Sequence, residues 1–357
     1  MQILVIGGGI IGLLTALELA AAGAQVRILE MGAVGRASSW AGGGILSPLY
    51  PWRYPDPVNA LARWSQGVYA DLAARLCAEG GVDPEWTQSG MLMLDTSERA
   101  LAQAWAGRFG YRLEVLTRDE VRRCEPALGP AAGGALWMPE VAQVRNPRLV
   151  QAARHALLGH GAVIEEACEV TELRVHEGRV AGVRTARGKF VAEAVVVAAG
   201  AWSGLLLAGL GLRPDIRPVR GQMLLFKGPP GVLSRIILGA RHYVIPRRDG
   251  RVLVGSTMEE VGFDTGTTAA AREVLLEAAF RLVPALRDFA LERHWAGLRP
   301  GSPSGIPYIG EHPQLAGLFI NSGHFRNGVV MAPASARLLA DRVLGRPPIL
   351  DPLPYAL

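Results

Sequence analysis

The sequence predicts a mixed α/β (α+β) chain, with a Rossmann-like dinucleotide-binding domain into which an antiparallel-sheet domain is inserted. Three observations carry this. The chain opens as strand, glycine turn, helix and strand. Later, Ala194 to Ala199 is an apolar run of the kind that strands covered on both faces show, and Gly317 to Asn321 reads as a further strand. Between them, Met223 to Phe226, Tyr243 to Pro246 and Val252 to Gly255 read as antiparallel strands around an Arg248-Asp249-Gly250 turn.

The first unit runs from a strand (Gln2 to Ile6) through a helix (Ile10 to Ala22) to a strand (Gln25 to Leu29) that ends at Glu30. Gly7, Gly9 and Gly12 fit G-x-G-x-x-G in the context this motif needs. Gly7 permits the tight turn, Gly9 lets backbone approach a pyrophosphate, and Gly12 lets helix and strand pack closely. The helix N-terminus offers N–H groups and partial positive charge to phosphates. Glu30 is placed to accept both ribose hydroxyls. The motif indicates a dinucleotide without choosing between FAD and NAD. The bland alternative, a glycine turn in an ordinary βαβ unit, leaves Glu30 unexplained.

Gly32 to Ser47 follows as a loop of small residues with Ser38, Ser39 and Gly42-Gly43-Gly44, whose backbone can lie against a flat ligand. Asp56-Pro57 starts a helix to about Ala78. Next come a strand (Gly90 to Leu94), a helix (Glu98 to Arg108), a strand (Leu113 to Leu116), a helix capped at Thr117 to Glu120, and a strand (Ala135 to Met138). A helix from Asn146-Pro147 to about Gly159 leads into Ala162 to Glu166, Val170 to Val175, Val180 to Thr185 and Phe190 to Val191. Their turns at Glu177-Gly178 and Arg187-Gly188 suggest a meander. A helix (Ala269 to Leu282), a strand (Glu292 to Gly297) and a C-terminal helix (Asn327 to Leu344) complete the chain. The expected cofactor domain is discontinuous, residues 1–82, 139–218 and 300–357. The substrate domain is residues 83–138 and 219–299.

Among 357 residues, half are apolar and 19% charged, which excludes a disordered chain. The net charge of +5 comes from scattered arginines without a basic block, which suits anionic small molecules and argues against nucleic acid. Cys77, Cys124 and Cys168 have no metal-ligand spacing, and no metal is expected. No apolar run reaches the roughly 18 residues of a transmembrane segment. A cytoplasmic protein is the expectation, and assembly as a homo-oligomer stays open.

Four stretches then resemble the FAD-dependent amine oxidases related to D-amino-acid oxidase, sarcosine oxidase and glycine oxidase. They are Val5 to Gly12, Val196 to Ser203, Trp295 to Gly301 and Gly323 to Gly328. The last two, with Tyr308-Ile309-Gly310, are most similar to glycine oxidase of the thiamine-biosynthesis type, as are Tyr243 to Arg247 and Gly255 to Met258. The resemblance implies FAD held at Gly7, Gly9, Ile10, Ile11, Gly12, Glu30, Ser38, Ser39, Gly43, Gly44, Ile45, Val170 and Gly200. It extends this set through His324, Phe325, Arg326, Asn327, Gly328, Val329 and Val330. It implies Arg299 on the substrate carboxylate, Tyr243 and Arg326 as further catalytic-pocket residues, and Met258 in the substrate pocket. Sarcosine-oxidase relatives tether FAD through a late cysteine. No cysteine follows Cys168 here, so non-covalent FAD is expected. Arg241-His242 lie outside the matched stretches and are candidates for setting substrate preference.

The implied reaction is hydride transfer from Cα of glycine, sarcosine or a small D-amino acid to flavin N5. It yields a 2-oxo acid and ammonia, with dioxygen reduced to hydrogen peroxide, and it needs no side-chain base. His324, in a tight loop, reads as a structural donor rather than a base. Two alternatives remain on this reading: an FAD-dependent D-amino-acid or D-proline dehydrogenase that passes electrons to quinone, and a non-catalytic flavin-binding subunit.

Overall fold

The computed structural model describes residues 1–130, 132–239 and 241–357. Six strands form one sheet, in the order Tyr308–Glu311, Leu318–Ser322, Ala194–Val197, Gln2–Ile6, Gln25–Leu29 and Val163–Glu165. All pairs are parallel except the first. The apolar runs follow from burial on both faces. Ile3, Val5 and Val196 enter the core with the helices Ile10–Ala21 and Gly328–Val343. Leu4, Ile6, Val195 and Val197 face the other way, onto Val180 and Val183. Those two valines belong to a three-stranded meander, Val170–His176, Arg179–Thr185 and Gly188–Val191.

The second sheet has eight strands: Ala290–Gly301, Arg217–Lys227, Arg251–Gly255, His242–Pro246, Ile236–Gly239, Met91–Met93, Ala135–Met138 and Glu114–Leu116. Its pairs are antiparallel except Ile236–Gly239 with Met91–Met93. The helix Ala269–Leu282 buries Leu275, Ala279 and Leu282 against it. The strands within 83–138 and 219–299 all lie here. The expected boundaries at 218/219 and 299/300 fall inside its two longest strands, which pair from Arg217↔Gly301 to Lys227↔Ala290.

Several expectations need correction. Val163–Glu165 is not part of the meander; it pairs in parallel with Gln25–Leu29. The Arg187-Gly188 turn lies one residue earlier, since Thr185 pairs with Gly188. The Gly32–Ser47 loop contains a helical turn, Ser38–Ala41, which Trp40 anchors edge-on to Trp295 with ring centroids 5.5 Å apart. The strand expected at Glu292 to Gly297 is longer because all of Arg217–Lys227 is available to pair with it. Ile236–Gly239 and Tyr308–Glu311 had no local signature strong enough to mark them as strands.

The helix Gly328–Val343 carries Pro333 in its interior. A proline there cannot donate to the carbonyl four residues back, which belongs to Val329. The Tyr69 hydroxyl donates to that oxygen instead, at 2.7 Å, and Ser65 Oγ accepts from Ala334 N at 3.0 Å. Tyr69→Phe removes the hydroxyl and keeps the ring. It is expected to destabilise the protein by about 1–3 kcal/mol, the cost of an unsatisfied buried acceptor. Denaturant unfolding of both proteins checks this, and equal midpoints would contradict it.

Candidate active site and cofactor cleft

A cleft of about 510 Å³ runs from the glycine turn to the second sheet. It opens outside the C-terminal ends of the parallel strands, where open α/β sheets bind ligands. At one end it is lined by Gly7, Gly9, Ile10, Ile11, Glu30, Ser39 and Val170. Gly7 has φ +109, and a Cβ there would lie 2.4 Å from Ala198 O. The Glu30 carboxylate accepts from Gly8 N at 2.7 Å and Gly32 N at 2.9 Å, so it is fixed at the strand end. Ile10 N, at the helix start, donates to Ser39 Oγ at 2.8 Å. Gly12 does not line the cleft. It is the packing glycine, since a Cβ there would meet Gly7 O at 1.9 Å. A glycine cradle, a helix N-terminus and a fixed carboxylate fit the nucleotide half of FAD.

Midway, Ser38, Gly43, Gly44, Ile45 and Gly200 line the wall. Gly44 has φ +77, and a Cβ there would stand 2.1 Å from Val144 O, so only glycine follows this path without strain. Arg247 fastens the loop from behind. Its Nη2 donates to Gly43 O at 2.7 Å, and its Nη1 to Val144 O at 2.9 Å and Gln143 Oε1 at 2.6 Å. Burial pushes this guanidinium down to about 10. The turn Ser38–Ala41 is tied to the second sheet, because Ser38 Oγ donates to Leu298 O and Trp295 Nε1 to Ala41 O at 3.1 Å.

His324, Phe325, Arg326, Gly328, Val329 and Val330 close the cleft, with the N-terminal turn of Gly328–Val343 presented to it. Asn327 is 3% exposed and lies behind the lining, with its Nδ2 unpartnered among the described residues. His324 is buried against Ser335 Oγ at 3.0 Å, and burial pushes its imidazole down to about 3. It is therefore neutral at working pH, in accord with a structural role. The unfolded chain takes up a proton below its ordinary value of 6.5, which the folded chain refuses. Stability is then lost as pH falls from 6.5 towards 3, by up to about 1.4 kcal/mol per pH unit from this group. In the apoprotein, His324→Asn is expected to flatten the fall in unfolding midpoint between pH 6.5 and 4.5. Parallel curves would contradict the assignment.

Arg299, Tyr243 and Arg326 meet at the remaining end. Arg299 comes from the long strand Ala290–Gly301. Its Nη2 donates to Ser256 Oγ at 2.7 Å, and its Nη1 to Thr257 O at 3.2 Å and Arg220 O at 3.4 Å. All three acceptors are neutral, and burial pushes the guanidinium below the ordinary arginine range. The Tyr243 side chain acts in the opposite sense, and the charge of Arg326 adds to the lowering. The buried Arg220 next door contrasts with this, because Glu259 and Asp264 answer it. Among the described residues neither Arg299 nor Arg326 has a carboxylate partner. Two cations facing one cavity without a counter-charge form a site for a small anion.

Met258 departs from expectation. It is 60% exposed and does not line the cleft. Its neighbour Thr257 is the residue turned inward, where its hydroxyl and carbonyl serve Gln222 N and Arg299. Residues missed from the sequence include Arg247, Ser256, Trp202 and Gly221. The last carries a readable signal, since a lone glycine inside a strand marks a close approach.

A parallel sheet with a nucleotide cradle, joined to an antiparallel sheet that offers a half-buried arginine, is the arrangement of a flavin-dependent oxidoreductase. Residues 2–342 match the family described as FAD dependent oxidoreductase, and the chain belongs to that family. Within it the similarity is to glycine oxidases. The glycine oxidase of Pseudomonas putida is 51% identical over 99% of this chain and 98% of its own. The crystal structure of glycine oxidase from Geobacillus kaustophilus superposes with a TM-score of 0.93, at 32% identity, covering 100% of this chain and 98% of that one. The bifunctional protein ThiO/ThiG of Synechocystis is 34% identical over 96% of this chain, which spans 51% of that longer protein.

Proposed function

We propose that this chain is a glycine oxidase that also accepts sarcosine or small D-amino acids, giving the 2-oxo acid, hydrogen peroxide and the freed amine, which is ammonia from a primary amine and methylamine from sarcosine. The observation that carries the reading is the half-buried guanidinium of Arg299 at the cleft wall, which has only neutral oxygens for partners. A substrate carboxylate supplies the charge it lacks, and two parallel hydrogen bonds fix its direction.

FAD, when bound, would supply the redox chemistry, as acceptor of the hydride from the substrate's Cα and donor of the electrons to dioxygen. The chain supplies position and charge. Arg299 holds the carboxylate, so the Cα is presented in one orientation. Tyr243 forms the wall beside that guanidinium, and Arg326 adds positive potential. Gly7, Gly9, Ile10, Ile11, Glu30, Ser39 and Val170, which line one end of the cleft, would hold the nucleotide half of FAD. Gly43, Gly44, Ile45 and the segment His324 to Val330 border the ring half. The first turn of Gly328–Val343, which lines the cleft, would set the positive end of that helix beside the ring half of FAD and so favour negative charge on it. No protein base is assigned: His324 is neutral and tied to Ser335.

Non-covalent FAD is part of the proposal. Cys168, the one cysteine lining the cleft, lies beside Glu30, to whose carbonyl its N–H donates at 2.8 Å, and no cysteine follows it. The similarity to proteins named ThiO/ThiG supports a role in making the thiazole of thiamine. The three unpaired cysteines accord with a cytoplasmic setting. The test is stoichiometry: purified yellow protein with glycine in air should yield glyoxylate, ammonia and peroxide in equal amounts. A protein that takes up FAD yet releases none of these with any small amino acid would overturn the proposal.

A further inference from the structure

Gly221 lies in the buried middle of the eleven-residue strand Arg217–Lys227, paired with Gly297 on one side, while the ladder to Arg251–Gly255 on the other side begins at Met223. A glycine there is unfavourable for a strand, since it lacks a side chain to pack and costs extra backbone entropy. Its backbone does not demand it, because its φ is not in the left-handed region. The surroundings do. A Cβ at Gly221 would lie 2.1 Å from Arg299 Nη2, 2.2 Å from Nη1 and 2.3 Å from Cζ. The guanidinium occupies the volume that any other residue would fill.

The rest of that seat is rigid. Arg220 O, which accepts from Arg299 Nη1, also accepts from Glu259 N at 3.0 Å, and Arg220 N donates to Glu259 O at 2.9 Å. Gln222 N donates to Thr257 Oγ1 at 2.9 Å, while Gln222 Nε2 reaches the Glu259 carboxylate at 2.9 Å. The strand and the Ser256–Glu259 segment are thus clamped on both sides of Gly221. Neither can retreat from an added methyl group. The mobile partner is the end of the Arg299 side chain.

We propose that Gly221 is a specificity-determining positioning residue: its missing side chain sets where the Arg299 guanidinium rests, and so where the substrate carboxylate is held. This rests on the reading that Arg299 binds that carboxylate. Alanine at 221 keeps the strand and moves the guanidinium, losing its bond to Ser256 and its fixed direction. The fold and the cofactor cradle do not depend on this position.

The test uses the FAD-loaded full chain and acetate, an unreactive monocarboxylate, as the probe, with binding read from perturbation of the flavin absorbance. Gly221→Ala is expected to weaken acetate binding and lower kcat/KM for glycine at least tenfold, with FAD content and thermal midpoint kept. Arg299→Lys shortens the cation and relieves the crowding. Its penalty should therefore shrink in the Gly221→Ala background, so that the double variant binds acetate no more weakly than Gly221→Ala alone. Unchanged acetate affinity in Gly221→Ala, or penalties that simply multiply in the double variant, would overturn the proposal. Arg299→Ala separates the two layers. If it too leaves acetate affinity unchanged, the carboxylate reading of Arg299 fails. If it abolishes binding while Gly221→Ala does not weaken it, only the positioning role fails. Should Gly221→Ala lose FAD or its thermal midpoint, the role is purely structural and the proposal is wrong.

Discussion

Arg299→Ala is expected to raise KM for glycine by roughly 30-fold to several-thousand-fold, the equivalent of about 2–5 kcal/mol for a desolvated charge pair that loses one partner. FAD should remain bound, because Arg299 belongs to the second sheet and the nucleotide cradle does not involve it. The thermal midpoint of the ligand-free protein should hold or rise. In that state Arg299 is a partly desolvated cation whose three acceptors are neutral, an arrangement that costs stability. A scaffold arginine behaves in the opposite way, since its removal lowers the midpoint and leaves KM alone. Steady-state kinetics and a melting curve on the same preparation distinguish the two. An unchanged KM would contradict the carboxylate role.

The second large effect concerns the cradle. Gly12→Ala places a methyl group 1.9 Å from the Gly7 carbonyl oxygen. That atom belongs to a backbone turn that is itself pinned, by Gly7 N donating to Leu29 O at 2.9 Å. Overpacking of a tight interior typically costs about 1–3 kcal/mol. Here the strain falls on the turn that receives the pyrophosphate, so most of it should appear as lost FAD affinity. The expected result is roughly a 10- to 100-fold weaker FAD dissociation constant, and protein that emerges from gel filtration largely colourless. Fluorescence quenching of FAD titrated into apoprotein measures this. Affinity equal to that of the parent would mean the turn can yield, and that Gly12 has no packing role.

The parts legible in the sequence were those whose physics is local. The strand–turn–helix at the N-terminus, the capped helix beginning at Arg118 and the helix starting at Asn146-Pro147 each carry their own punctuation. The glycines of the cleft are legible in the fingerprint and the small-residue loop, whereas Arg299 comes from resemblance, and the structure supplies reasons for both: Gly44 for its φ, Arg299 for its uncompensated charge. What was not legible depends on distant partners. Val163–Glu165 looks like a meander strand until Gln25–Leu29 is placed beside it. Arg247 looks like a hairpin arginine until Gly43 approaches it from two hundred residues away in sequence. Met258 is implied by resemblance alone, and the structure places it 60% exposed and outside the cleft lining, with Thr257 turned inward beside it. Pro333 signals a broken helix, and only Tyr69 and Ser65 explain why the helix continues.

The central claim is that this cleft brings a small amino acid, held by its carboxylate, to a flavin that oxidises it. The most direct measurement is the visible spectrum of the FAD-loaded protein under anaerobic conditions as glycine is added, followed by admission of air. The expected result is loss of the oxidised flavin bands with glycine, and their prompt return with release of peroxide once air enters. Bands that persist with glycine, sarcosine and small D-amino acids alike would contradict it. Bleaching followed by slow return in air would keep the carboxylate site and overturn dioxygen as the electron acceptor.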